Sequence, residues 1–295
     1  MTLPFFSPGQ DPGSSFSELI RRLQVSGQLP ASAPAVQPGG AGASVQGLSP
    51  PDGLRGVVHG TTIAALRFQG GIVMAGDRRA TEGHAIAHRG IEKVFPADRH
   101  SAVGIAGAAG PAIEMVRLFQ TQLEHYEKVE GSTLSLEGKA NQLAQMVRAN
   151  LPLAMEGIAV VPLFGGYDQR RRSGRLFSFD LVGGRYEELE FYATGSGGRD
   201  ARNTIKLGFS PELAEDEAVE LLVKALYQAA DEDSATGGPD PLRGIYPVVA
   251  VVDEHGYRRL EDEDVAERFA ALVDSLRRPL PNGPAAPGVE GVDAP

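Results

Sequence analysis

The border at Gly60-Thr61 limits what this chain can fold into more than any other feature. Residues 1–60 are poor in core-forming side chains and rich in Gly, Pro, Ala and Ser. From Thr61 the pattern turns at once to apolar runs broken by tight turns. The leader holds one short amphipathic piece, Ser17-Glu18-Leu19-Ile20-Arg21-Arg22-Leu23, which predicts about two turns of helix with Leu19, Ile20 and Leu23 on one face. Residues 26–53 then read as a flexible Pro/Gly linker. Such a segment buries too little apolar surface to offset its ordering entropy. The expectation is a leader, 1–60, ahead of a globular domain over 61–278, with a Pro/Gly-rich, disordered tail at 279–295.

Within the domain, Thr62 to Phe68 alternates as a strand, Gly70-Gly71 supplies a turn, and Ile72 to Ala75 returns as a second strand. Further strands are expected over Ala85–Phe95 and Ser101–Ala106. Two helices follow at 111–129 and 135–155. The first carries Ile113, Val116, Leu118, Phe119 and Leu123 on its apolar side, and the second Leu136, Leu143, Met146, Val147 and Leu151. Strands resume at Ile158–Phe164, and Leu176–Asp180 is expected to form a hairpin with Tyr186–Tyr192. Helices at 199–206 and 212–231, a strand at Tyr246–Val252 and a last helix at 263–277 complete the domain. This order predicts an α+β, four-layer αββα sandwich: two antiparallel sheets face to face, each with a helical pair outside.

Charge and composition exclude several classes of function. The chain of 295 residues carries a net charge of −10, and the leader is neutral, with Arg21, Arg22 and Arg55 against Asp11, Glu18 and Asp52. The acidic balance therefore belongs to the domain, and it argues against a nucleic-acid or anionic-membrane binder. There is no cysteine, which removes disulfides, thiolate catalysis and cysteine-held metals. His84 and His88 stand four apart outside a helical stretch, so no metal site and no cofactor is expected. No apolar run approaches the roughly 20 residues that span a bilayer. The chain also starts without a basic segment and apolar core, so the expected location is cytoplasmic. Gly195-Ser196-Gly197-Gly198 lacks the Gly-Lys-Ser/Thr ending of a phosphate loop. The acidic run from Glu212 to Glu220 reads as a solvated helix start favoured by the dipole, or as a charged assembly contact.

The chemistry centres on Thr61. A cut between Gly60 and Thr61 would give a hydroxyl nucleophile and a free α-amine on one residue. That amine, with an ordinary pKa near 8, can serve as general base when partly neutral. A buried lysine nearby would depress it further. Lys93, flanked by Ile91, Val94 and Phe95, is placed for that on an expected strand, and Asp77 can pair with it. Taken singly, Asp77 reads sooner as a strand-end turn residue and Lys93 as an exposed strand charge.

Taken together, Thr61-Thr62-Ile63, Gly76-Asp77-Arg78-Arg79, Lys93 and Gly104-Ile105-Ala106-Gly107 resemble the catalytic β subunits of 20S proteasomes. Gly195-Ser196-Gly197 resembles that family's Gly-Ser-Gly loop. Asp233-Ser234-Ala235-Thr236-Gly237-Gly238 resembles its Asp-x-x-Ser-Gly-Gly motif, with Thr236 at the serine position. The resemblance spans about residues 59–276. With its long leader, the chain is most similar to the bacterial, actinobacterial type.

The resemblance implies an N-terminal-nucleophile hydrolase that processes itself between Gly60 and Thr61 and then acts as a threonine endopeptidase on unfolded proteins. It implies Thr61 as nucleophile and base, with Asp77 and Lys93 setting the charge. It further implies that Ser196, Asp233 and Thr236 position the amine and a water, and that the Gly107 N–H faces the oxyanion. Ala80, Thr81, Ile91, Phe95, Ile105 and Ala109 would line an apolar pocket suited to cleavage after large hydrophobic residues. Implied partners are α subunits, further copies of the chain in stacked seven-membered rings, an ATPase ring acting through the α ring, and protein substrates. Two alternatives share these motifs in part: the simpler ATPase-partnered bacterial threonine protease of the same fold, and an inactive structural ring subunit.

Overall fold

The structure, a computed structural model, describes residues 60–82 and 85–277. The leader helix at 17–23, the linker at 26–53, His84 and the tail at 279–295 lie outside the described residues.

The chain order is β1 (Thr62–Phe68), β2 (Gly71–Gly76), β3 (Ala80–Glu82), β4 (Ala85–His88), β5 (Val94–Asp98) and β6 (Ser101–Gly107). Helices α1 (Ala109–Glu130), α2 (Leu136–Ala149) and the short α3 (Leu151–Met155) follow. Next come β7 (Val160–Asp168), β8 (Ser173–Phe179), β9 (Arg185–Glu188) and β10 (Phe191–Gly195). Helices α4 (Gly198–Gly208) and α5 (Glu215–Glu232), strands β11 (Val248–Asp253) and β12 (Gly256–Arg259), and helix α6 (Asp262–Leu276) end the domain.

Two five-stranded sheets run β10-β1-β2-β11-β12 and β5-β6-β7-β8-β9, and β3-β4 is a separate ribbon. Every pairing is antiparallel. Strand side chains alternate between faces, and here both faces are covered. On β1, Ile63 and Ala65 join the layer between the sheets while Ala64 and Leu66 meet the outer helices. On β2 and β11 the same split puts Ile72, Met74, Val248, Ala250 and Val252 inside and Val73, Ala75, Val249 and Val251 outside. Two-sided burial makes these strands continuous apolar runs. The architecture is the expected αββα sandwich.

The helical layers differ. Helix α1 buries Ala112, Met115, Val116, Phe119 and Leu123 against the second sheet, a 3–4 spacing. Leu118, expected on that face, is 52% exposed. Beneath it, Phe119 meets Phe164 edge to face with centroids 5.8 Å apart, and Phe164 stacks on Phe177 at 6.1 Å. Truncating such a ring costs about 3–5 kcal/mol. The first sheet carries three helices, not a pair: Val265 and Phe269 of α6 pack with α4 and α5 in one cluster.

Three expected elements divide. The helix over 135–155 breaks at Asn150, with Pro152 opening α3, since a proline suits a helix start but not its interior. The run Tyr186–Tyr192 is two strands: β9 pairs with β8 in the second sheet, and β10 pairs with β1 in the first. The run Ala85–Phe95 separates into β4 and β5 around an irregular stretch at 89–93.

Candidate active site

The first sheet presents the start of β1 with strands on both sides, Thr62 opposite Gly195 of β10 and Ile63 opposite Gly76 of β2. Thr61 stands one residue ahead of the strand and is 5% exposed. Its carbonyl accepts the Ser196 N–H at 2.9 Å. The Gly60 N–H donates to Thr81 Oγ1 at 3.0 Å. A Cβ on Gly60 would overlap Ala235, so only glycine fits before Thr61.

Asp77 follows the end of β2 and is fully buried. Its N–H donates to the Thr62 carbonyl at 3.1 Å. Oδ1 accepts the Thr62 N–H at 2.8 Å and Lys93 Nζ at 2.7 Å. Oδ2 accepts the N–H groups of Arg79 at 2.9 Å and Gly237 at 2.8 Å. Four donors thus saturate a carboxylate that has no water to turn to. Lys93 Nζ also donates to the Arg79 carbonyl at 2.5 Å. Burial pushes the Lys93 ammonium below its ordinary pKa, while Asp77 draws it back up in part. Lys93 does not lie on a strand as expected. It ends the irregular stretch before β5, and its own carbonyl accepts the Ile105 N–H at 2.9 Å.

A second network is built around Asp233. Asp233 caps the C-terminus of α5 through its backbone N–H, which donates to the Ala229 carbonyl at 2.9 Å, and its carboxylate is left free for the site. Burial raises its pKa, but hydrogen bonds from the Ser196 and Thr236 hydroxyls and the Ala235 and Thr236 N–H groups outweigh that and hold it low. The Thr236 hydroxyl donates to Asp233 Oδ2 at 2.6 Å. It also lies 2.6 Å from Thr62 Oγ1, which in turn accepts the Gly197 N–H at 2.9 Å. The structure thereby brings Ser196, Asp233 and Thr236 together at Thr61 and Thr62. Sequence reasoning did not single out Thr62, because a second threonine entering an apolar run reads as a strand former.

Gly107 ends β6 with φ at 107°, and a Cβ there would run into the Ala159 carbonyl. A glycine is what this backbone turn admits. Beside it lies a narrow cleft bordered by Thr61, Ala80, Ile91, Lys93, Ile105, Gly107 and Ala109. Glu92, and Ala112 and Ile113 from the first turns of α1, complete the lining, and none of these three was assigned to the pocket from the sequence. Two expected pocket residues do not border this cleft directly. Thr81 is engaged with the Gly60 N–H. Phe95 packs toward the α1–α2 cluster while its neighbour Val94 points between the sheets, as strand alternation requires. No described helix is long and apolar enough to cross a membrane.

The family model described as "Proteasome subunit" matches residues 57–240. A proteasome subunit beta of Acidimicrobium ferrooxidans is 60% identical over 277 residues, 94% of this chain and 95% of that protein. One of Acidothermus cellulolyticus is 60% identical over 78% of this chain and 80% of its own length. One of Streptomyces griseus is 56% identical over 81% of this chain and 85% of its own length. With its sandwich fold and with matches of this extent, the chain belongs to the family of proteasome subunits, and within it to the β subunits.

Proposed function

We propose that this chain is the catalytic, self-processing threonine endopeptidase of its particle, with Thr61 as nucleophile. The observation that carries the reading is the placement of the fully buried Asp77–Lys93 pair directly behind Thr62, bound through the Thr62 N–H. A merely structural subunit has no use for a desolvated ammonium held beside a serine- or threonine-type nucleophile.

The first reaction is the chain's own maturation. The Thr61 hydroxyl attacks the Gly60 carbonyl, the peptide becomes an ester on Thr61 Oγ1, and water cleaves that ester. The products are a Gly60 carboxylate and a free Thr61 amine. In later turnovers the Thr61 hydroxyl attacks a substrate carbonyl and its proton passes to the α-amine. Lys93 lowers the local cost of the alkoxide. The oxyanion of the tetrahedral adduct faces the Gly107 N–H. The amine then returns the proton to the departing peptide nitrogen, and water releases the acyl group. Ser196, Asp233 and Thr236 hold the amine and that water in place. The apolar side chains Ile91 and Ile105 and the small Ala80 and Ala109 that line the cleft favour large hydrophobic residues before the cut.

In this reading the chain works in the cytoplasm in seven-membered rings with its own copies, stacked between rings of α subunits and fed unfolded protein by an ATPase ring. Co-expression with the α partner, followed by intact mass, tests it. The expected product begins at Thr61, carries a threonine-directed covalent inhibitor on that residue, and is absent in Thr61→Ala. Full-length chain in active particles would overturn it.

A further inference from the structure

The hydrogen bonds around Thr62 have only one possible direction. A carboxylate accepts and cannot donate, and each hydroxyl has one proton. The Thr236 hydroxyl gives its proton to Asp233 Oδ2. The 2.6 Å contact between Thr62 Oγ1 and Thr236 Oγ1 therefore has Thr62 as donor. Thr62 Oγ1 is in turn the acceptor for the Gly197 N–H. Protons thus point one way along Gly197 N–H, Thr62, Thr236 and Asp233. Both threonines are fully buried, so water cannot stand in for either link.

The chain of bonds returns to the nucleophile. Asp233 also accepts the Ser196 hydroxyl, and the Ser196 N–H holds the Thr61 carbonyl. Three separate segments, 61–62, 196–197 and 233–236, close into one ring. The backbone of Thr62 is meanwhile bound to Asp77 at both its N–H and its carbonyl. Thr62 thus ties the Asp77–Lys93 pair to the Ser196–Asp233–Thr236 group.

We infer that Thr62 is a positioning residue for the reaction, whose hydroxyl fixes the rotation of the Thr236 hydroxyl and through it the orientation of Asp233 and Ser196 around Thr61. Successive bonds of this kind polarise one another, and the three acceptors cannot be satisfied together in another arrangement. Valine has the shape of threonine, so it would fill the same space between the strands while removing the donor and the acceptor. Catalysis then weakens without loss of substrate binding, because the cleft residues are untouched.

The inference rests on the threonine-endopeptidase reading, and the experiment separates the two. Assembled particles of wild type, Thr62→Val and Thr62→Ser are compared for intact mass, inhibitor labelling and steady-state cleavage of a fluorogenic peptide. Thr62→Val is expected to lower kcat about tenfold with KM within about twofold, as loss of a buried bond made in the catalytic arrangement should. Thr62→Ser keeps the hydroxyl and is expected to stay within about twofold of wild type in both constants. In a double-mutant cycle with Thr236→Val, the second loss should add little to the first, since both cut one chain.

Thr62→Val with wild-type kcat overturns the inference, as does Thr62→Ser falling as far as valine, or additive losses in the cycle. If Thr62→Val does not assemble, Thr62→Cys, with its weak donor, takes its place under the same criteria. Wild-type particles without a label on Thr61 would instead sink the endopeptidase reading, and they would do so before any variant is examined.

Discussion

Lys93 Nζ lies 2.7 Å from Asp77 Oδ1 with both side chains out of reach of solvent. Removing one partner of such a pair leaves an uncompensated buried charge, a loss of about 3–5 kcal/mol. Lys93→Met is therefore expected to lower thermal stability and to leave the chain uncut at Gly60, read by melting temperature and by intact mass. Lys93→Arg should not rescue processing, because the wider guanidinium cannot keep both Asp77 Oδ1 and the Arg79 carbonyl in a site shaped around an ammonium.

Gly60 sits where any side chain would meet Ala235. Gly60→Ala should slow the proposed maturation about tenfold or more by shifting the carbonyl that Thr61 would attack, since small misplacements of reacting groups are expensive. Residue 60 leaves with the leader in the proposed cut. Particles of Gly60→Ala that do mature should therefore cleave peptides at the wild-type rate. A time course of leader loss, paired with activity per labelled Thr61, checks both halves.

An acid-sensitive anchor lies far from the site, at the second sheet. Arg175 is 4% exposed and holds Glu187 through two bonds, at 2.7 and 2.6 Å, and Asp168 at 3.1 Å. The guanidinium keeps Glu187 below its ordinary value. Burial alone would raise Asp168, but bonds from the Arg171 N–H and from Arg175 hold it down. A carboxylate held low in the folded state adds stability that is complete above its unfolded pKa and is lost as pH falls through the folded one. Stability should therefore decline below about pH 4.5 as these two acids protonate. Arg175→Met should cost about 2–4 kcal/mol at neutral pH and flatten that acid decline, measured by melting across pH 3 to 7.

The cleft floor should be tunable. Ala109→Phe adds a ring to the cleft that Ile91 and Ile105 also line. It is expected to reduce kcat/KM for cleavage after Phe or Leu about tenfold more than for cleavage after Ala, within the range a hydrophobic pocket can discriminate. Peptides differing only in that residue give the ratio. An unchanged ratio would place the specificity pocket elsewhere.

Much of this was legible because local pattern and tertiary role coincide. The β1–β2 hairpin carries its turn in Gly70-Gly71, and the Thr61, Asp77 and Lys93 motifs fall at strand ends that face one another. Where they diverge, the sequence misleads. Tyr186 to Tyr192 has no internal break, yet it changes sheets between Glu188 and Phe191, a choice made by which edge strand needs a partner. Residues 89–93 look extended but bend so that the Lys93 head reaches Asp77. Thr62 was hidden for a different reason: its hydroxyl bonds to the Gly197 N–H and to Thr236, residues 135 and 174 positions away.

The strand that begins at Thr62 has a further consequence. Chain termini ordinarily fray, and a freshly cut end would be expected to wander. Here Thr61 and Thr62 are laced to β10, β2 and the Asp77 turn before any bond is broken. The new end would be born already immobilised. The loss of freedom needed to aim a primary amine and a hydroxyl at one carbonyl is then met once, when the domain folds, and not again at each turnover.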